Sequence, residues 1–139
     1  MVSVKALLLL TLGSITLALP PPLPFPLPLN ALIEKRQCVE SCGSTCYYQS
    51  TINAAVSKGC SYLQSNQQVG TGNYPHVYNN YEGFDFAANS PYYEFPILHS
   101  FQPYTGGSPG PDRVVFTGGC ALQGLITHTG ASGNNFLEC

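Results

Sequence analysis

The sequence predicts an α+β fold in which one α-helix packs on a short-stranded antiparallel β-sheet. Residues 49–64, QSTINAAVSKGCSYLQ, carry apolar side chains at helical spacing and form the one convincing helix. The stretches that follow are short and rich in Tyr, Phe, Val and Ile, with Gly, Pro and Asn between them, which is typical of antiparallel strands. One helix followed by several such strands indicates an α+β domain.

The boundaries of these elements follow from the same patterns. We predict strands at residues 92–98, 113–116, 122–127 and 135–138. Ser50 or Thr51 is expected to cap the N-terminus of the helix, because either hydroxyl can accept from a free backbone N–H. The side chains predicted on the buried face of the helix are Ile52, Ala55, Val56, Gly59, Cys60 and Leu63.

The first quarter of the chain does not have the pattern of a folded domain. Residues 1–18 fit a secretory signal peptide, because their apolar run is too short to cross a bilayer and ends in small residues. Residues 19–36 fit a propeptide, with a proline-rich spacer, PPPLPFPLPL, and a dibasic processing site, Lys35-Arg36. A retained proline-rich arm is the alternative. The secreted, extracellular domain is therefore predicted at residues 37–139.

Charge limits how this domain can bind a nucleic acid. Residues 37–139 contain two basic side chains, Lys58 and Arg113, against six acidic ones, a formal net charge of −4. That is the wrong sign for a protein that holds nucleic acid through its phosphate backbone, so any RNA contact must be local and specific. The sequence has no second long apolar stretch, and we expect no membrane partner.

All six cysteines lie in residues 37–139, and an even number behind a signal peptide indicates a disulfide framework. Fifteen pairings are possible in principle. A metal site is disfavoured, because Cys38, Cys42 and Cys46 lack the usual zinc-ligand spacing and the histidines are isolated from them. We therefore expect neither a metal nor another cofactor.

Four polar residues are candidates for acid–base chemistry. In the extended segment YPHVY at 74–78, alternation puts His76 on one face with the two tyrosines, and Glu94 is an acid within an aromatic strand. With His128 and Arg113 they suit metal-free phosphoryl transfer within RNA. One group takes the 2′-hydroxyl proton, another donates to the 5′-oxygen, and a cation stabilises the charge between them. Judged by residue type alone, structural roles are the commoner interpretation.

Four segments in order carry a more specific signal. They are YPHVYNNYEGFDF at 74–86, SPYYEFPIL at 90–98, GGSPGPDRVVF at 106–116 and ITHTGASGNNF at 126–136. These segments closely resemble those of the fungal guanyl-specific ribonucleases, the ribonuclease T1 family, and the similarity runs over residues 38–139. The resemblance implies the disulfide-stapled microbial ribonuclease fold and cleavage of single-stranded RNA after guanosine, without action on DNA.

The resemblance also implies which groups move protons. It makes Glu94 the general base on the 2′-hydroxyl, with His76 assisting, and His128 the general acid on the leaving 5′-oxygen. The first product would be a 2′,3′-cyclic phosphate, which hydrolysis then converts to a 3′-phosphate.

The scissile phosphate has its own implied residues. Arg113 and the Tyr74 hydroxyl would hold it, with the ring of Phe136 against it. A plain core role is the alternative for Phe136, because aromatic rings mostly serve packing.

A guanine site is implied around residues 78–82. In the family, backbone groups there bind the O6 and N7 edge, two aromatic rings sandwich the base, and a carboxylate matching Glu82 accepts from N1–H and the exocyclic amine. An adenine edge would leave that carboxylate unpaired. A solvated turn acid is the alternative for Glu82. The residues concerned are Tyr78, Asn79, Asn80, Tyr81, Glu82 and Asn134.

The resemblance resolves the cysteine pairing and two backbone features. It implies cis peptide bonds at Tyr74-Pro75 and Ser90-Pro91. The implied disulfides are Cys38–Cys46, Cys42–Cys139 and Cys60–Cys120.

Three positions depart from the family pattern. Val77 stands where a basic residue is common, Phe95 where some members have tryptophan, and Thr51 where some members have an acid that contributes to calcium binding. His99 matches no family role and is interpreted as a surface loop residue.

Three rival functions compete with the ribonuclease interpretation. The rivals are a ribosome-directed toxin, a catalytically inactive ribonuclease-like effector and a disulfide-stapled structural protein. A toxin needs long basic loops, an inactive effector loses its histidines or glutamate, and a structural protein leaves the histidine motifs unexplained. We expect a monomer.

Overall fold

The structure, a computed structural model, describes residues 37–139. The predicted signal peptide at 1–18 and propeptide at 19–36 lie outside the described residues. Seven strands and one helix make up the described part, which confirms the predicted α+β class. In chain order they are β1 (Cys38–Cys42), β2 (Thr45–Tyr48), α1 (Gln49–Gln64), β3 (His76–Tyr78), β4 (Tyr92–Pro96), β5 (Asp112–Thr117), β6 (Leu122–Thr127) and β7 (Leu137–Glu138).

The helix has the predicted bounds, but the predicted caps are wrong. Ser50 and Thr51 lie inside the first turn, and the N-cap is Tyr48, which makes no side-chain capping bond. The reason is that β2 runs directly into α1, so the extended backbone of Tyr48 (φ −93°, ψ 151°) leads straight into the helix without a turn. Apart from Leu63, which is half-buried, the predicted helix face is buried.

Two antiparallel sheets organise the strands. The hairpin β1–β2 forms a two-stranded sheet, and the other five strands pair in the order β3-β4-β5-β6-β7. The sequence did not predict the hairpin, because its cysteines, serines and glycine lack the alternating pattern on which strand prediction depends.

The two faces of the five-stranded sheet bury different sets of side chains. Helix α1 packs on the first face, where Phe95 and Phe116 are fully buried. Gly59 permits this close packing, since a Cβ at that position would lie 2.8 Å from the Phe95 side chain. The opposite face carries a smaller apolar cluster, and the buried polar side chains of Glu94 and Arg113 lie on the same face. The buried members of that cluster are Tyr78, Val115, Ile126 and Phe136.

Three disulfides close the fold, with the pairing that the resemblance implies: Cys38–Cys46, Cys42–Cys139 and Cys60–Cys120. The bonds Tyr74-Pro75 and Ser90-Pro91 are both cis. Within residues 37–139 no helix is long and apolar enough to cross a membrane.

Candidate active site

Strand register assembles the candidate catalytic residues on one sheet face. His76 in β3 lies opposite Glu94 in β4, and Glu94 lies opposite Val115 in β5. Arg113 is two residues before Val115, so its side chain leaves the sheet on the same face. His128 directly follows β6 at the end of that face.

His76 and Glu94 form an ion pair through Nε2 and Oε1. The other ring nitrogen, Nδ1, donates to the carbonyl oxygen of Gly72 at 2.9 Å. The hydrogen bond with Glu94 raises the pKa of His76 above its ordinary value, although partial burial opposes this shift. His76 therefore keeps its proton to a higher pH than a free histidine does.

The second carboxylate oxygen of Glu94 is buried without a hydrogen-bond partner among the described residues. Glu94 as a whole is only 6% exposed. A buried lone acceptor is costly unless something donates to it. Oε2 is thus placed to accept a proton from a bound hydroxyl group.

Arg113 is buried, 3% exposed, and among residues 37–139 it has no carboxylate partner. Its Nη1 donates to the carbonyl oxygens of Gly110 at 2.7 Å and Asp112 at 2.8 Å, with a longer contact of 3.4 Å to Pro109. Its Nη2 donates to the Tyr74 hydroxyl at 2.8 Å, and Nε has no acceptor. A buried guanidinium held only by neutral dipoles is suited to an anion.

The ring of Tyr74 contacts both His76 and Arg113. Its ring stacks on His76 at a centroid distance of 4.7 Å, and the guanidinium of Arg113 lies 5.0 Å from its centroid. Because the hydroxyl accepts from Arg113, its own proton remains available for a phosphate oxygen.

His128 is oriented by two contacts from the C-terminal segment. Its Nδ1 donates to the carbonyl of Asn135 at 2.8 Å, and its ring stacks on Phe136 with centroids 3.8 Å apart. Within the described residues Nε2 has no protein partner, so this nitrogen can deliver a proton to a ligand. The ring of Phe136 therefore supports an imidazole rather than serving only as core packing.

Glu82 lies beside this C-terminal segment, not in open solvent. Its carboxylate accepts from the Tyr78 hydroxyl at 2.8 Å and from the backbone N–H of Phe136 at 2.9 Å. Partial burial acts to raise the pKa of Glu82, but these hydrogen bonds outweigh it and hold the pKa below the ordinary value. An ionised acceptor results, which favours a ligand with adjacent N–H donors.

The loop after β3 is shaped by Asn80. Its backbone is left-handed (φ 53°), and its side chain bonds to both the N–H and the carbonyl of Phe84 at 2.8 Å. Asn79 and Tyr81 are exposed, with Tyr81 90% accessible, whereas Tyr78 is buried and its hydroxyl is occupied by Glu82. Asn134 is exposed in the loop before Phe136.

Some residues important to the site had no distinguishing signal in the sequence. Asp112 is fully buried and accepts hydrogen bonds from Tyr47, Thr127 and His99. His99 is exposed in a loop, as predicted. The sequence did not predict that its ring would bond to the buried carboxylate of Asp112. No group of three potential metal ligands occurs within residues 37–139.

Comparison with known proteins gives one consistent result. A family model described as ribonuclease matches residues 35–139. Guanyl-specific ribonuclease T1 of Aspergillus oryzae is 56% identical over 111 residues, which cover 80% of this chain and 85% of that protein. The extracellular guanyl-specific ribonuclease Fl1 of Gibberella baccata is 57% identical over 99 residues, 71% of this chain and 93% of that protein. The solved structure of ribonuclease He1 from Hericium erinaceus matches with a TM-score of 0.52 and 31% identity, covering 71% of this chain and 94% of that one.

Proposed function

Because this chain belongs to the ribonuclease family, we propose that it cleaves single-stranded RNA on the 3′ side of guanosine. The reaction is a transesterification to a 2′,3′-cyclic phosphate, followed by hydrolysis to a 3′-phosphate. The observation that carries this proposal is the pair of unsatisfied buried atoms, Glu94 Oε2 and Arg113 Nε, on one sheet face. A ribose hydroxyl and its phosphate satisfy both.

Proton abstraction falls to Glu94. Oε2 accepts the proton of the 2′-hydroxyl, and the oxygen then attacks the adjacent phosphorus. His76 is paired with Glu94 through Nε2 and Oε1, and its own imidazole is a second proton acceptor when it is neutral. DNA is not a substrate, because it lacks the 2′-hydroxyl on which this step depends.

Charge stabilisation and leaving-group protonation use the remaining groups. Arg113 and the Tyr74 hydroxyl bind the non-bridging oxygens, where negative charge builds up in the transition state. His128, with Nδ1 fixed by Asn135, donates from Nε2 to the departing 5′-oxygen. In the hydrolysis step His128 takes a proton from water and Glu94 returns one to the 2′-oxygen.

Selection of guanine depends on Glu82. Each of its oxygens already accepts one hydrogen bond from the protein and has a second lone pair for N1–H or the exocyclic amine. The exposed ring of Tyr81 is free to stack on the base, and stacking supplies affinity without net positive charge. Asn79, Asn80 and Asn134 contribute backbone contacts to the base.

Secretion and monomeric behaviour complete the proposal. Three disulfides and the leader-like sequence before residue 37 support an extracellular protein. All the residues proposed for catalysis and guanine binding lie in one chain, so the proposed monomer needs no partner subunit to complete its site. The basic docking loops that a ribosome-directed toxin needs are lacking in residues 37–139, where Lys58 and Arg113 are the two basic residues.

One digest tests the proposed activity. A defined single-stranded RNA is incubated in EDTA with the protein, and the ends of its fragments are mapped. We expect cuts after guanosine that leave 2′,3′-cyclic and then 3′-phosphate ends. Cuts spread over all four bases, or dependence on added metal, contradict the proposal.

A further inference from the structure

The loop at residues 105–111 bonds to Arg113, the proposed phosphate-binding residue, and receives few other hydrogen bonds. The carbonyl oxygens of Pro109 and Gly110 accept from Arg113. Three glycines in the loop have positive φ angles: Gly106, Gly107 and Gly110. A segment of this kind keeps its shape only through specific contacts.

Those contacts are few. Residues 105–110 make no backbone–backbone hydrogen bond with the described part of the chain. At its C-terminal end, the carbonyl of Pro111 accepts from the backbone N–H of His128 at 3.0 Å. Besides this bond and those from Arg113, the loop receives one bond from the Tyr104 hydroxyl, which donates to the carbonyl of Gly107 at 2.9 Å. Tyr104 is therefore the only side chain other than Arg113 in residues 37–139 that bonds to the backbone of this loop.

Tyr104 itself is firmly fixed and touches other parts of the phosphate site. It is fully buried, and its ring packs edge-on against Tyr74 at 5.9 Å and against Phe95 at 5.8 Å. Its hydroxyl also lies against Gly70, where any Cβ would overlap it. Gly70 belongs to the turn that ends at Tyr74, so the hydroxyl is enclosed between that turn and the 105–111 loop.

From this geometry we propose that Tyr104 is a positioning residue for the phosphate, an inference that rests on the proposed ribonuclease function. Its hydroxyl holds the 105–111 loop, the loop carbonyls aim Arg113, and its ring sets the position of Tyr74. Guanine binding uses Glu82 and the loop after β3, which Tyr104 does not contact. The proposal therefore predicts a defect in phosphate binding alone.

The test is Tyr104→Phe, which removes the hydroxyl and keeps the ring. For cleavage of the dinucleotide GpC we expect kcat/KM to fall about tenfold, as for loss of one well-placed hydrogen bond. The inhibition constant of inorganic phosphate should rise by a similar factor. The inhibition constant of guanosine and the pH profile should not change.

Two matched variants separate positioning from general stability. Tyr62→Phe removes a hydroxyl that has no partner among the described residues, from a ring that packs on Phe95. Tyr92→Phe removes a hydroxyl that donates to the carbonyl of Ala88 at 2.6 Å, outside the phosphate site. Both should retain the phosphate inhibition constant of the parent.

The outcomes distinguish this inference from the proposed function. A Tyr104→Phe protein with unchanged phosphate inhibition overturns the positioning role, and so does one in which phosphate and guanosine binding weaken together. A parent that does not cleave GpC overturns the proposed function. In that case, calorimetry of phosphate and guanosine binding to the folded parent and to Tyr104→Phe still tests the positioning role, which requires that phosphate binding alone weakens.

Discussion

Asp112 and Arg113 are sequence neighbours of opposite charge, yet their side chains do not form an ion pair. As successive residues of β5 they leave the strand on opposite faces. The Asp112 carboxylate accepts from the hydroxyls of Tyr47 at 2.7 Å and Thr127 at 2.5 Å, and from His99 at 2.8 Å. Because the Asp112 carboxylate bonds to these three groups on the other face of the sheet, it does not pair with Arg113, whose charge remains available for a ligand.

The Asp112 cluster should contribute strongly to stability. Asp112→Asn replaces an acceptor with a group that brings its own donors toward Tyr47, Thr127 and His99. We expect the free energy of unfolding in urea to fall by about 2–4 kcal/mol, since the site is fully buried. The exposed Asp85→Asn is the matched control and should be nearly neutral. Equal effects of the two changes would show that the cluster does not stabilise the fold.

Stability should also depend on pH through His76 and Glu82. The pKa of His76 is raised above its ordinary 6.5, so its contribution is complete below about pH 6.5 and is lost as pH rises through the folded-state value. The pKa of Glu82 lies below its ordinary 4.5, so its contribution is complete above about pH 4.5 and is lost as pH falls through the folded-state value. Between about pH 4.5 and pH 6.5, His76 and Glu82 both make their full contribution to the free energy of unfolding.

Urea unfolding at a series of pH values measures this dependence. The His76→Gln protein should lose less stability than the parent above pH 6.5, and Glu82→Gln should lose less below pH 4.5. Variants whose stability curves run parallel to that of the parent would exclude these two groups as the source.

Local patterns predicted the helix and most strands, because these depend on the spacing of apolar residues. Resemblance supplied the candidate site, since residues 74–82, 94, 113 and 128 meet only through the register of the sheet. The roles of Tyr104 and Asp112 could not be predicted. A buried tyrosine or aspartate has no periodicity of its own, and its partners, such as Gly107 and His99, are chosen by tertiary packing.

The long disulfide should stabilise more than the short one. Cys42–Cys139 spans 97 positions and Cys38–Cys46 spans 8. In the chain-entropy model these loops correspond to about 4.7 and about 2.5 kcal/mol, a difference of about 2 kcal/mol. Urea unfolding of the two serine double variants measures the difference. A short-bridge variant that is the less stable of the two contradicts the model.

Base selectivity should depend on Glu82 separately from chemistry. Glu82→Ala removes the proposed acceptor for two adjacent guanine donors, so kcat/KM for GpC should fall while that for ApC changes little. We expect the GpC/ApC ratio to drop at least ~10-fold, the effect of unpaired polar groups in a specific site. The exposed Glu138→Ala is the control. A Glu82→Ala protein with the selectivity of the parent assigns base recognition to other groups.

Replacement of the acid and the base should have unequal effects. His128→Ala removes the group proposed to protonate a poor leaving group, and kcat for GpC should fall at least ~10²-fold. Glu94→Gln should cost less, because His76 loses the partner that raises its pKa and becomes a neutral base at neutral pH. The acid limb of the parent's bell-shaped pH profile should then move up toward pH 6.5 in Glu94→Gln.

The double variant Glu94→Gln/His76→Ala completes the argument. It has no base at this position, so its loss should approach that of His128→Ala and exceed the sum of the two single effects in free energy. Stopped assays of GpC cleavage between pH 4 and 9 measure the parent, the single variants His128→Ala, Glu94→Gln and His76→Ala, and the double variant. An unshifted acid limb in Glu94→Gln, together with additive single and double effects, would show that His76 does not replace Glu94. Undiminished activity of His128→Ala would remove that residue from the mechanism.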